Sequence, residues 1–142
     1  EGENHVIRPL RALLLFAGRY GRTLLDKVRV EKEICLYGAG RMGRALFNIL
    51  EENGLSEKVV RFVVSDMEGN QDFVKGVPVE ALGNLPRGEE RLVLVAAGAE
   101  KHREIIESLE GHGWKNYEVV REEFLCMAAE EMERQGKLWQ NC

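Results

Sequence analysis

The sequence predicts an α/β fold: a doubly wound parallel sheet of about four to five strands, with extra helices at both ends. Three observations carry this. Short apolar runs alternate with amphipathic helical stretches along most of the chain, and helix-linked strands pair in parallel. The runs "ICLY" and "LVLV" are apolar throughout, as strands covered on both faces are. Right-handed crossovers then leave few topologies, and the expected order of the four main strands is second, first, third, fourth.

Residues 8–29 are expected to form a helix on the spacing of Leu10, Leu13, Leu14, Ala17, Leu24, Leu25 and Val28, with a kink or break at Gly18 and Gly21. It precedes the first strand and belongs to no strand–helix unit. Ile34–Tyr37 reads as the first strand. Met42, Ala45, Leu46, Ile49 and Leu50 make a helical stripe that stops at Asn53-Gly54. Val59–Val64 is the second strand. In the polar stretch that follows, only Val77–Val79 is apolar enough to extend, and Pro78 marks it as an edge or a short piece. Leu92–Ala96 is the third main strand, residues 100–110 a helix, Tyr117–Val120 the fourth strand. A last helix is expected from Glu122 to about Leu138, with Leu125, Ala128, Met132 and Trp139 on one side. The division is therefore 1–32 as a helical extension, 33–121 as the α/β domain and 122–142 as a helix packed on that domain or on a partner.

The 142 residues are enough for one core-forming domain. Net charge is −4, which gives no general attraction to nucleic acid. Residues 1–32 carry seven Lys/Arg against four Asp/Glu, the rest thirteen against twenty. The basic segment reads as a solvated helix face, or as a face for a partner. Cys35, Cys126 and Cys142 have neither metal nor Cys-x-x-Cys spacing, and this usage fits a reducing, cytoplasmic setting. No two histidines have ligand spacing, and no metal is expected. The apolar run in "RALLLFAG" is too short to cross a bilayer. The chain opens Glu1-Gly2 rather than on methionine, so a piece of a longer protein is expected.

Glycines 38, 40 and 43 form G-x-G-x-x-G between the first strand and its helix. Gly38 suits the sharp turn, Gly40 leaves bare backbone for a diphosphate, and Gly43 lets the helix pack close. The helix start near Arg41 and Met42, after Ala39, offers N–H groups and a dipole end to an anion. Asp66, 26 residues after Gly40, stands where a ribose-binding acid is expected and favours NAD over NADP. Arg41 and Arg44 have the reach to meet a phosphate. Ala97-Gly98, within "AAGA", suits either a nucleotide or a tight turn. His102 has the reach of a general acid; it equally suits the start of a helix over the core edge. Asp66 and Glu68 read as solvated acids.

The run "YGAGRMGRALFNIL … RFVVSDMEGN … GVPVEALGNLP … LVLVAAGAEKHREIIESLEGHGWKNYEVV" resembles the Rossmann-like nucleotide-binding module of bacterial polysaccharide-biosynthesis proteins. That module is found in the N-terminal parts of nucleoside-diphosphate-sugar dehydratases and epimerases and of sugar-nucleotide acetyltransferases. The resemblance covers Ile34 to about Val120, and its most specific part is Gly76–Val79. It implies that Gly38, Gly40, Gly43 and Asp66 contact a nucleotide, and that Ala97-Gly98 lines the same crevice. The ligand implied is NAD or a nucleoside-diphosphate sugar. The Tyr-x-x-x-Lys pair of the dehydratases and epimerases is absent: Tyr117 is followed four residues on by Arg121. The expectation is thus a binding module in surface-glycan synthesis that does not complete a reaction alone. Two alternatives stand beside it: an NAD-dependent sugar-nucleotide dehydrogenase or epimerase fragment, and a regulatory or assembly module without turnover. The terminal helices are candidates for pairing two copies as a homodimer or for docking a missing catalytic domain.

Overall fold

The computed structural model describes residues 17–139. Residues 8–16 of the expected first helix, with Leu10, Leu13 and Leu14, lie outside the described residues. The chain divides into two compact units, 1–30 and 31–142. In the first, 17–29 is a single helix, α1. It runs unbroken through Gly18 and Gly21, where a break was expected: each glycine costs a helix only about 1 kcal/mol, less than the rest of the helix sustains.

The second unit is an α/β domain around a six-stranded, mostly parallel sheet. Its strands are β1 Ile34–Tyr37, β2 Val59–Val64, β3 Phe73–Val74, β4 Val77–Ala81, β5 Leu92–Val95 and β6 Tyr117–Val119. Its helices are α2 Arg41–Glu52, α3 His102–Gly111 and α4 Glu122–Arg134. The order across the sheet is β3-β4-β2-β1-β5-β6, so the four main strands lie in the order the connectivity dictates. β1 is central. It pairs in parallel with β2 on one side (Cys35 beside Arg61) and with β5 on the other (Cys35 beside Val93).

The sheet has more strands than the four to five expected, because the polar excursion after β2 folds into a hairpin. Lys75 and Gly76 both take positive φ, 51° and 84°, which makes the tight reversal that joins β3 to β4. β4 then pairs in parallel with β2 through Val79–Ala81. Pro78, which has no N–H to give, stands before that ladder, opposite Phe73 of β3.

Strand alternation divides the core. Cys35, Tyr37, Val63, Val93 and Val95 pack with Ile105, Leu109 of α3 and with Trp114. The residues between them face the other way: Phe62 meets Phe47 of α2, with ring centroids 5.7 Å apart. Beside it, Ala45 of α2 packs on Ala129 and Met132 of α4. That second helix contact explains why Arg44 and Asn48 are buried in α2 alongside Ala45 and Leu46, while Met42 and Ile49 of the expected stripe are only half-buried.

α4 ends earlier than the sequence suggests. Gly136 takes φ 71°, its N–H bonds Glu133 O, and Lys137 N–H bonds Met132 O, a six-to-one closure that stops the helix. Leu138 then turns inward against Ala45, and Trp139 lies outside the helix, 55% exposed. Among the described residues no helix is long and apolar enough to cross a membrane.

Candidate functional site

The C-terminal ends of β1, β2 and β5 converge. Tyr37 and Val95 sit side by side, Ala96 N–H donates to Tyr37 O over 2.8 Å, and Gly38 N–H donates to Val63 O over 2.8 Å. Beyond these bonds the chain splays into the loop 38–40 on one side and the loop 96–98 on the other. A cleft of about 520 Å³ opens between them.

The three glycines of the first loop have different reasons to be glycine. Gly38 has φ 115°, and a Cβ there would stand 2.4 Å from Ala96 O. At Gly43 a Cβ would stand 1.9 Å from Gly38 O, so the first turn of α2 rests directly on the loop. Both are demanded by close packing. Gly40 is not: a Cβ there would meet no atom within 4 Å, and its φ of −92° is not the left-handed one of Gly38. The space above Gly40 is open and belongs to the cleft.

Gly40 is also the N-cap of α2 and brings no side chain to cap it. The first helical bond runs from Arg44 N–H to Gly40 O. The N–H groups of Arg41, Met42 and Gly43 precede it, and no acidic residue lies in that first turn. The positive end of the helix dipole thus meets the cleft without a neutralising carboxylate from its own helix.

Gly38, Ala39, Gly40, Arg41 and Met42 line the cleft, and Ala97 and Gly98 face them from the end of β5. Gly43 lies beneath the loop rather than in the lining. Asp66 does not line the cleft either. Its Oδ1 accepts Glu68 N–H at 2.8 Å and its carbonyl accepts Asn70 Nδ2 at 3.1 Å, so it folds its own turn. Ser65 and Asn70 line the cleft from this side.

Both arginines have partners within the chain. Arg41 makes a bidentate pair with Glu133 of α4, Nε to Oε2 at 3.0 Å and Nη2 to Oε1 at 2.9 Å. These hydrogen bonds hold the Arg41 proton more tightly and bring the Glu133 carboxyl below its ordinary range. Arg44 is 4% exposed, with its guanidinium 4.7 Å from the centre of the Trp139 ring and Nη2 3.5 Å from Gln71 Oε1. His102 is a brace: its Nε2 lies 2.8 Å from Ala97 O. A carbonyl can only accept, so Nε2 carries a proton and the ring holds the β5–α3 turn.

Sequence reasoning missed one wall. Tyr37 at the end of β1, Lys101 at the N-cap of α3, and Glu104 and Ser108 along α3 line the cleft. The α3 residues recur at three- and four-residue intervals, which is one helix face, and that spacing is the signal available in the sequence. Burial, and then the charge of Glu104, push the Tyr37 phenol up, so it stays protonated. Among the described residues no group of three His, Cys, Asp or Glu side chains is placed to hold a metal ion. In comparison with known proteins, no family model, no curated protein and no solved structure gives a significant match to this chain.

Proposed function

We propose that this chain is a Rossmann-like, doubly wound nucleotide-binding module whose ligand is NAD or a nucleoside-diphosphate sugar. Its diphosphate rests on the loop 38–40 and the N-terminus of α2. The single observation that carries the reading is the open space at Gly40, a position where packing does not ask for glycine. A diphosphate there would receive the N–H groups of the first α2 turn and the favourable end of the helix dipole. Ala97 and Gly98 keep the opposite side low, and Ser65 and Asn70 offer hydrogen bonds to the nucleoside. Arg41 contributes by exchanging Glu133 for a phosphate oxygen, a swap between two exposed anions.

The resemblance of residues 34–120 to modules of polysaccharide biosynthesis supports a role in surface-glycan synthesis, with the reaction completed by another domain. Thermal shift with NAD, NADH, UDP-sugars and coenzyme A tests the reading. A ligand at 100 times its dissociation constant stabilises by about 2.7 kcal/mol. Gly40→Val keeps the fold and abolishes the shift, because its methyl groups occupy the diphosphate position. Turnover of a nicotinamide cofactor with a sugar nucleotide would replace the module by an enzyme. No shift with any nucleotide would leave an assembly role.

A further inference from the structure

The two ends of the cleft differ in charge and in hydrogen-bonding capacity. The α2 end presents backbone donors with no acid in the first helical turn. The α3 end presents two carboxylates, Glu100 and Glu104, against one ammonium, Lys101. An anion is drawn to the first and repelled from the second.

Tyr37 sharpens the contrast. The residue is 4% exposed and lines the cleft, and its hydroxyl has no hydrogen-bond partner among the described residues. The phenol opens on the cleft, so its hydrogen-bonding capacity is available to a ligand group that reaches it. Glu104 stands close enough for its charge to act on that phenol, and its carboxylate likewise has no hydrogen-bond or ion-pair partner among the described residues. Ser108 lies one turn farther along α3, about 6 Å by helical rise, and Ile105 lines the cleft beside them.

We propose that Tyr37, Glu104 and Ser108 form a second subsite that holds an uncharged, hydroxyl-rich group attached to the diphosphate. The proposal rests on the reading of the α2 end as the diphosphate position. A carboxylate only accepts, and a protonated phenol has one hydrogen to donate as well as an oxygen that accepts, so a group that both donates and accepts satisfies the pair fully. A hydroxyl does, and a vicinal diol bridges the pair. A second phosphate would face Glu100 and Glu104, and an apolar ring would leave the phenol and the carboxylate unmatched. Ile105 gives the carbon face of such a group an apolar contact.

Calorimetry on the full chain separates the two ends, using ADP against ADP-ribose and UDP against UDP-glucose. In the wild type the sugar-bearing member of the pair binds roughly tenfold tighter than the bare diphosphate, the return expected from one or two new hydrogen bonds. Tyr37→Phe and Glu104→Gln each reduce that ratio to about twofold or less; the affinity for the bare diphosphate does not fall in either, and removal of the Glu104 charge raises it if anything. Glu104 is a surface residue, so its variant keeps the test open if Tyr37→Phe disturbs the core. Equal affinity for the two members in the wild type, or a tenfold ratio that survives both substitutions, overturns the subsite alone. Failure of both bare diphosphates and both sugar-bearing ligands to bind overturns the nucleotide reading and the subsite together.

Discussion

The two ends of the sheet treat charge in opposite ways. Toward the N-terminal end, the charged groups close on one another. Arg61 reaches Glu80 at 3.4 Å and Glu89 at 3.5 Å, and Arg91 reaches Glu89 at 3.1 Å and Glu33 at 2.8 Å. Arg61 also lies 3.8 Å from the Cys35 sulfur, a thiol that burial pushes up to about 11. At the C-terminal end, Tyr37, Lys101, Glu104 and Ser108 have no hydrogen-bond or ion-pair partner for their side chains among the described residues, and they face a cleft. One end is satisfied by its own chain and holds four strands in register. The other has hydrogen-bonding capacity left over, as a binding surface must.

The glycines test this division most strongly. Gly43→Ala puts a methyl into the Gly38 carbonyl and is expected to cost on the order of 3 kcal/mol. That lowers the melting temperature by about 10 °C, measured by scanning calorimetry. Gly40→Val, three residues away, changes stability by no more than about 1 kcal/mol while nucleotide binding is lost. If the two exchanged phenotypes, the loop would be packing and not a site.

A smaller effect is expected at the paired end. Burial raises the Glu89 carboxyl, but hydrogen bonds from the Arg91 N–H and guanidinium outweigh it, and the group titrates below its ordinary value. A depressed carboxyl stabilises fully above its unfolded value, and the contribution fades as pH falls through the folded one. Glu89→Gln therefore costs about 1–2 kcal/mol at neutral pH and flattens the acid side of the stability profile in urea titrations. An acid limb identical to wild type would mean that the cluster is only a surface arrangement.

The smallest effect belongs to the pair that spans both behaviours. Glu133→Gln releases Arg41 without touching the cleft lining. The melting temperature should hold, and diphosphate affinity should rise by about two- to fivefold. Weaker binding in that variant would show that Glu133 positions Arg41 rather than withholding it.

How much of this was legible follows from what each feature depends on. The four main strands and their order follow from local pattern and from the handedness of crossovers, both readable in "ICLY", "VVRFVV" and "LVLV". The separate roles of Gly38 and Gly43 are backbone matters, and their spacing from the strand end conveys them. The β3–β4 hairpin was not legible because Lys75-Gly76 stands where Asn-Gly is the usual signal, and a lysine at positive φ is uncommon. The end of α4 was overrun because Gly136 interrupts a stretch whose apolar spacing continues past it. Arg41 meets its partner 92 residues away, and Asp66 turns into its own loop; neither can be read from neighbours in sequence. Tyr37 looked like the last residue of a buried strand, which it is. That its hydroxyl opens on a cleft depends on where α3 crosses.

The brevity of the outermost strands has a consequence for how copies of this chain meet. β3 has two residues and β6 has three. Among the described residues, a stranger's strand seeking to extend the sheet would find only a few free amides and carbonyls on the two outermost strands, too few to register against. β2 and β1 lie inside the sheet, each paired on both sides. Association through added strands, the usual hazard of an open sheet, is thereby blunted at both flanks.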